Sequence, residues 1–166
     1  ADTVAVRDLN ELMHLQLGSD YKIGVTADYR MYGSKGEWVD TFNMGMFMIH
    51  PDWTEYRRLV QLQEDGAIHD YEYIMAEQGW LNAVYKGQWK DVGLVYNANV
   101  AGRNHAKFKE NEKDLRIIHY TTLKPWFSQP GSRDHDLLCK PWLDIRDEVV
   151  AQSGCINEYF VPPSDN

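Results

Sequence analysis

The chain of 166 residues is long enough for one domain with a buried core, and its composition, 43% hydrophobic and 25% charged, is ordinary for a globular protein. The formal net charge of −8, without a cluster of Lys and Arg, argues against nucleic acid as a partner, because a phosphate backbone requires a basic surface. Aromatic residues make up 13% of the chain, which fits either core packing or flat surfaces that contact sugars.

The start of the chain predicts two strands and a helix. Alternating apolar residues at 3–6 predict a strand, and Asp8, which suits a helix N-cap, opens a helical pattern that Gly18 would end. Residues 22–27 predict a short strand. Because two Gly and one Ser interrupt the stretch Tyr29–Trp38, that stretch predicts a loop.

The rest of the chain alternates strand and helix patterns. The apolar run 42–49, bounded by turn residues, predicts a strand that is buried on both faces. Apolar residues recur at helical spacing between Pro51 and Gly66. The other predicted elements are, in order, a helix at 76–86, strands at 91–96 and 115–120, and a surface helix at 143–150. This alternation indicates an α/β fold with a largely parallel or mixed sheet.

Residues near the two ends of the chain are candidates for binding a phosphate or a metal. Asp2 stands at a strand end, where a carboxylate either caps the chain or holds a divalent cation that binds a diphosphate. His119 ends the predicted strand 115–120 and is either a structural residue or a ligand. Lys124, held by Pro125, could reach a phosphate as a compact charge. Ligands of α/β sheets collect at the carboxyl ends of strands, so these residues mark a candidate site.

Polar residues and glycines inside apolar stretches form a second group of candidates. Asn43 and Gly45 interrupt an apolar strand, and the amide needs a partner, which is either a sugar hydroxyl or the backbone of another strand. Gln78 and Gly79 lie near the start of a predicted helix, where glycine permits close approach of the backbone. Glu77 in the same turn also suits the helix dipole.

Taken in order, these residues resemble the motifs of glycosyltransferase family 8, the glycogenin-like enzymes. The family pattern is D-x-D, F-N-x-G, D/E-Q-G-x-L-N and H-x-x-G-x-K-P-W. The matching segments are Ala-Asp-Thr at 1–3, Phe-Asn-Met-Gly at 42–45, Glu-Gln-Gly-Trp-Leu-Asn at 77–82 and His-Tyr-Thr-Thr-Leu-Lys-Pro-Trp at 119–126. The resemblance covers residues 1–126, the C-terminal half of that family's domain, and leaves 127–166 as a helical extension and tail of the same domain.

The resemblance implies a fold and an activity. The implied fold is GT-A-like (nucleotide-diphospho-sugar transferase), a mixed sheet flanked by helices and incomplete at the N-terminus. The implied activity is the Mn²⁺-dependent transfer of a hexose or hexuronic acid from a UDP-linked sugar to a carbohydrate or protein acceptor. The anomeric configuration of the sugar would be retained.

The resemblance also implies roles for the matching residues. Asp2 corresponds to the second Asp of D-x-D and His119 to the third protein ligand of Mn²⁺, while Lys124 would hold the donor diphosphate. The positions implied to surround the transferred sugar, with Gln78 near its anomeric carbon, are Asn43, Gly45, Glu77, Gln78, Gly79 and Asn82. Because no carboxylate is well placed as a nucleophile, we expect front-side attack in which the amide of Gln78 acts as a dipolar stabiliser.

Departures from the family pattern favour an alternative function. The first Asp of D-x-D and the nucleotide-binding half of the domain would precede Ala1, and Thr122 stands where the pattern has Gly. The alternative is a non-catalytic module that binds carbohydrate or packs against a partner, and a companion chain would then carry the N-terminal half. The donor sugar, the acceptor and the compartment, cytoplasmic or secretory, stay open.

The cysteines and the apolar runs bear on redox state and membrane insertion. Cys139 and Cys155 match no zinc-ligand spacing and are either two free thiols or one bridge near the C-terminus. The apolar runs are too short to span a bilayer.

Overall fold

The computed structural model describes residues 2–32 and 35–153, which form a mixed α/β structure. The strands are β1 (Thr3–Ala5), β2 (Ile23–Tyr32), β3 (Lys35–Ile49), β4 (Trp89–Asp91), β5 (Ala98–Asn99) and β6 (Ile117–His119). The helices are α1 (Asn10–Met13), α2 (Trp53–Glu64), α3 (Ala76–Val84), α4 (Ala106–Asn111) and α5 (Lys140–Ser153), and a π-helical turn at His135–Cys139 precedes α5.

The first sheet joins strands that lie far apart in the sequence. β6 lies between β1 and β5, antiparallel to β1 and parallel to β5. Thr3 pairs with His119, and the backbone amide of Tyr120 donates a hydrogen bond to the carbonyl of Asp2 at 2.7 Å. Strand pairing therefore brings the segments around residues 2 and 119 together.

The second sheet contains a long antiparallel hairpin of β2 and β3, and β4 runs parallel to β2 on its other side. The predicted loop at Tyr29–Trp38 is wrong for residues 29–32 and 35–38, which belong to β2 and β3. Tyr29 pairs with Trp38 in the ladder, and their rings meet edge to face with centroids 5.1 Å apart. Cross-strand aromatic pairs stabilise a sheet, so tertiary packing outweighs the turn preference of the small residues.

The apolar run 42–49 is a strand, as predicted, but it is buried only at its start. Phe42 is fully buried and Asn43 is buried, whereas the side chains of Phe47 and Ile49 are 51% and 39% exposed. β3 is an edge strand of its sheet within the described residues. The prediction of burial on both faces fails because, within the described residues, the side chains of Phe47 and Ile49 at the end of this strand stay largely uncovered.

Most helix predictions are confirmed, and α1 is shorter than expected. α2 begins where the Asp52 side chain accepts a hydrogen bond from the Thr54 amide at 2.7 Å, and α5 contains the predicted helix 143–150. α1 ends at Met13 rather than near Gly18. Leu12 is its only buried residue, so α1 has too little apolar surface to stabilise further turns.

The predicted strand at 91–96 is wrong beyond its first residue, Asp91. β4 ends at Asp91, and Leu94–Tyr96 form a 3-10 turn. Between them Gly93 adopts φ of 100°, a left-handed conformation that interrupts an extended strand.

Two clusters of buried apolar side chains form the core. One surrounds β5 and β6 and contains Leu94, Ala98, Val100, Phe108, Leu115, Ile118, Tyr120, Leu138 and Cys139. The other packs beneath the hairpin and contains Ile23, Val25, Phe42, Val84 and Tyr85. Cys155, the other half of the bridge considered above, lies outside the described residues.

Seven polar side chains are also buried within the described residues, namely Thr26, Asp28, Asn43, Gln78, Asn97, Asn99 and His119. Burial of a polar group is unfavourable unless it is hydrogen-bonded, so the partners of these groups define where a site could form. No helix within residues 2–32 and 35–153 is long and apolar enough to cross a membrane.

Candidate functional site

Three ionisable side chains meet at the end of the first sheet. Nε2 of His119 lies 3.5 Å from Oδ1 of Asp2, and Nζ of Lys124 lies 3.2 Å from Oδ2 of the same carboxylate. Lys124 also donates a hydrogen bond to the carbonyl of Tyr120. The structure thus brings together the candidates from both ends of the chain.

The environment sets the charge of these groups. Burial lowers the pKa of His119 below its ordinary value, and the attraction of Asp2 only partly opposes this effect, so the imidazole is neutral near pH 7. Burial alone would raise the pKa of Asp2, but the hydrogen bond from Lys124 and the charges of His119 and Lys124 lower that pKa overall. A carboxylate beside a neutral imidazole provides two of the donors that a divalent cation needs.

The imidazole of His119 packs against the backbone of β3 at Gly45. A Cβ built on Gly45 would lie 2.2 Å from Nδ1 of His119 and 2.8 Å from Oδ1 of Asn97. These same two atoms are buried and have no hydrogen-bond partner within the described residues. Glycine is therefore required at position 45 by close packing, and the adjacent polar atoms retain hydrogen-bonding capacity.

A buried carboxylate that the sequence analysis did not single out lies at the centre of a second cluster. Asp28 accepts hydrogen bonds from the Tyr29 amide (2.9 Å), from the side-chain amides of Asn43 (3.0 Å), Gln78 (3.1 Å) and Asn99 (3.4 Å), and from Nε of Arg30 (3.3 Å). A carboxylate whose oxygens are both occupied in this way orients its neighbours. The signal in the sequence is a lone acid directly after the apolar run 23–27.

Gln78 on α3 and Asn43 on β3 are both held in a fixed orientation. Gln78 donates from Nε2 to Asp28 and accepts at Oε1 from the main chain of β3 at 3.0 Å. Asn43 donates to Asp28 and accepts at Oδ1 from the amide of Gly45 and from Asn97, both at 2.9 Å. Two predicted site residues therefore converge on one carboxylate.

Gly79 and Asn82 position α3. The side chain of Asn82 accepts from the amide of Phe42 at 2.7 Å and donates to its carbonyl at 2.8 Å. A Cβ built on Gly79 would lie 2.2 Å from the carbonyl oxygen of Glu72. These contacts fix the helix that carries Gln78, while direct contact of either residue with a substrate stays a prediction.

Two motif residues lie away from the polar centre. Glu77 is exposed on α3, so its catalytic role stays a prediction. Thr122 is exposed as well, whereas the hydroxyl of the preceding Thr121 donates to Asn99 at 2.6 Å.

The two clusters adjoin at Gly45, and together they form a series of polar residues, here called the polar line. In order it runs through Lys124, Asp2, His119, Asn97, Asn43, Asp28, Arg30 and Glu72. Nδ1 of His119 and Oδ1 of Asn97 both lie against Gly45, and neither atom has a hydrogen-bond partner within the described residues, so the two clusters adjoin here without a polar contact. Within the described residues, no three His, Cys, Asp or Glu side chains are arranged to hold a metal ion, so Asp2 and His119 stand as a pair.

Comparison with known proteins decides the family. The model of glycosyl transferase family 8 matches residues 1–129, which is most of the chain. The chain belongs to glycosyltransferase family 8. The resemblance inferred from the four motifs is thereby confirmed, and the match extends just beyond the segment at 119–126.

Curated relatives of this family 8 chain are considerably longer. Galactinol synthase 1 of Ajuga reptans is 31% identical over 112 residues, which are 63% of this chain and 32% of that protein. Glycogenin-1 of Caenorhabditis elegans is 29% identical over 169 aligned residues, which are 96% of this chain and 35% of that protein. The chain therefore spans about a third of the length of these relatives.

Solved structures agree on the fold. The apo form of the glycosyltransferase GlyE from Streptococcus pneumoniae TIGR4 aligns with a TM-score of 0.56 and 22% identity. The alignment covers 92% of this chain and 41% of that chain. The expected GT-A-like fold with mixed sheets is thus confirmed.

Proposed function

We propose that this family 8 chain is part of a retaining glycosyltransferase that uses a UDP-linked donor. The enzyme would transfer a hexose or hexuronic acid to a carbohydrate or protein acceptor. The observation that supports this proposal most is the meeting of Asp2, His119 and Lys124 at one end of the polar line, together with the oriented amide of Gln78 along its middle. Such an arrangement offers positive charge to a leaving diphosphate and a dipole to the sugar.

Asp2 and His119 would hold a divalent cation in this proposal. Mn²⁺ is favoured because the donors are a carboxylate oxygen and an imidazole nitrogen, and the lowered pKa of His119 keeps the ring neutral for coordination. The close contact of the ring with Gly45 supports a fixed ligand position. The first Asp of D-x-D would come from outside residues 1–166 or from a companion chain. When bound, the cation would neutralise charge that develops on the leaving diphosphate.

Lys124 would bind the diphosphate directly. Without a substrate its ammonium is shared between the carboxylate of Asp2 and the carbonyl of Tyr120. The positive charge is therefore held in place before the donor arrives, which lowers the reorganisation needed during the reaction.

Gln78 would stabilise the sugar while the acceptor attacks from the face that the diphosphate leaves. The anomeric bond to the diphosphate oxygen would break as the acceptor oxygen bonds to the same face, and the acceptor proton would pass to the diphosphate. Asp28 is an unsuitable nucleophile, because five donors occupy its oxygens. Both ends of the Gln78 amide are hydrogen-bonded, so its dipole keeps one direction.

Residues 127–166 would extend the same domain. Two contacts support this assignment for the described part. The rings of Trp126 and Trp142 lie 5.4 Å apart, and the hydroxyl of Tyr120 donates to the carbonyl of Leu138 at 2.6 Å. The extension thus packs on the strand end that carries His119.

The proposal is tested by UDP release from UDP-glucose, UDP-galactose and UDP-glucuronic acid, with Mn²⁺ or with EDTA. We expect release from at least one donor with Mn²⁺, strong reduction by EDTA, and loss of release in His119→Ala. His14→Ala, which removes an exposed imidazole at the end of α1, is the matched control. Equal release with EDTA would contradict the metal assignment.

Unchanged turnover in Gln78→Ala would remove the role of that amide, and an inverted product by NMR would contradict retention.

A further inference from the structure

Two cavities flank α3 beyond the Arg30 end of the polar line. Gly79 and Asn82, which the family motifs place near the transferred sugar, line the first cavity, and Glu77 lines the second. The volumes of the two cavities are about 650 Å³ and 550 Å³, each within the range of small-molecule sites. The first is lined by Gly79, Asn82 and Ala83, which lie on one face of the helix, and the second by residues of the adjoining face. The loop residues Ile68, His69 and Tyr71 line both cavities, so the two spaces are neighbours.

The first cavity is rich in polar groups of both charges. Its lining includes two cationic and three acidic side chains together with one indole ring: Arg30, Lys86, Asp40, Asp70, Glu72 and Trp89. It also includes Thr41, whose buried hydroxyl has no hydrogen-bond partner within the described residues. Sugar hydroxyls both donate and accept hydrogen bonds, so they can satisfy such a mixture of cationic, acidic and polar groups.

The second cavity is bordered by aromatic rings. Tyr71, Tyr73 and Trp80 line it, and the rings of Tyr71 and Tyr73 lie 4.2 Å apart at a tilt of 39°. The side chain of Tyr73 is 67% exposed. Exposed ring faces of this kind bind the apolar faces of sugar rings, whose hydroxyls then point to the sides.

The cavities also lie where an acceptor could approach the donor. Lys124 and Asp2 mark the diphosphate end of the polar line, and Asp28 and Gln78 lie along its middle. Arg30 connects Asp28 to Glu72, which lines the first cavity. The order along this line is therefore diphosphate, transferred sugar, acceptor.

We infer that the two cavities together form an acceptor groove for an oligosaccharide of at least two sugar units. One unit would occupy the polar cavity and the next would stack on the Tyr71–Tyr73 pair. This inference rests on the proposed function and specifies its acceptor as a carbohydrate chain, in place of a free monosaccharide or a protein side chain.

The test is calorimetric titration of the protein with xylotetraose, cellotetraose and maltotetraose, each compared with its monosaccharide. We expect at least one tetrasaccharide to bind about tenfold or more tightly than its monosaccharide, because only the longer ligand contacts both cavities. Tyr73→Ala should weaken that binding by about tenfold. Tyr56→Ala is the matched control, since Tyr56 is 53% exposed, stacks on Trp53 and lines neither cavity.

The proposal of an acceptor groove would be overturned if none of the three tetrasaccharides binds. It would also be overturned if Tyr73→Ala and Tyr56→Ala lose affinity equally. UDP release measured on the same preparations separates the two proposals. Mn²⁺-dependent release without saccharide binding removes the groove and leaves the transferase. Saccharide binding that Tyr73→Ala weakens, without UDP release from any donor, supports the groove as a binding site and removes the transferase proposal.

Discussion

His119 and Gly45 are in contact across the two sheets, so that a Cβ at position 45 would lie only 2.2 Å from Nδ1 of the imidazole. His119 ends β6 of the first sheet, whereas Gly45 lies in β3 of the second. Nε2 of the same imidazole is 3.5 Å from Asp2. The relative position of the sheets therefore sets the place of a candidate metal ligand.

Gly45→Ala should destabilise the fold by about 1–3 kcal/mol, because the added methyl group overlaps the ring of His119. The displaced imidazole should also bind Mn²⁺ less tightly. Urea denaturation and calorimetric titration with Mn²⁺ measure the two effects. The same substitution in the His119→Ala variant is the control. Gly45→Ala should lower the free energy of unfolding less in that variant, because the ring is absent. An equal loss in both proteins would show that the contact with the ring is not the source of the destabilisation.

Asp28→Ala should destabilise the protein by about 3–5 kcal/mol, because the guanidinium of Arg30 and three buried side-chain amides would lose their shared acceptor. The free energy of unfolding from urea denaturation measures this loss. Asp147→Ala is the control, since that carboxylate is 65% exposed and pairs only at the surface with Arg146. If the two variants lose similar free energies of unfolding, the stability of the buried cluster does not depend on Asp28.

Lys124→Ala should weaken binding of UDP by about 10- to 100-fold, as expected for loss of a charge-assisted contact to the diphosphate. It should also raise the pKa of Asp2, because the hydrogen bond from Lys124 is the leading contribution that lowers that pKa. Calorimetry and NMR titration of the Asp2 carboxyl measure these changes. Lys140→Ala removes an exposed lysine paired with Asp144 and should change neither. An unaltered UDP affinity in Lys124→Ala would contradict the assigned role.

Tyr85 gives a pH-dependent prediction. Its hydroxyl donates to Glu55 at 3.0 Å, and burial, together with that carboxylate, raises the pKa of Tyr85 to about 12. An unfolded tyrosine ionises near pH 10, so the stabilisation from Tyr85 is complete below about pH 10 and is lost as the pH rises to about 12.

The comparison of wild type with Tyr85→Phe isolates this effect. We expect the variant to be less stable by about 1 kcal/mol at pH 7, and the difference should shrink between pH 10 and 12. Urea denaturation of both proteins at a series of pH values measures it, since the other tyrosines contribute equally to each. A difference that stays constant through this range would contradict the raised pKa.

Local sequence patterns predicted several elements well. α2 lies between Pro51 and Gly66 as predicted, α5 contains the predicted helix, and β6 ends at His119 as expected. The strand pairing of Tyr29 with Trp38 was not predicted, because the Gly and Ser residues between them are typical of a loop. The contact between the two rings, which stabilises the pairing, is visible only in the structure. Helical caps are local, whereas strand pairs are not.

The residues of the candidate site divide in the same way. Asp2, Asn43, Gln78, His119 and Lys124 belong to motifs whose order is visible in the sequence. Asp28 and Arg30, inside β2, and Asn97, just before β5, were missed, because a single polar residue in or beside a strand has no sequence pattern that distinguishes a buried position from a surface position.

The sequence by itself determined the family and the kinds of side chain at the site, because motifs are read from residue type and spacing. Only the tertiary structure decided that Asp2 meets His119, that Gln78 and Asn43 share the carboxylate of Asp28, and that Arg30 leads to the cavities beside α3. The reason is physical. β1 pairs with β6, which lies far away in the sequence, and polar groups are buried beside the hairpin. These long-range contacts decide which polar groups lose their water and must hydrogen-bond to one another.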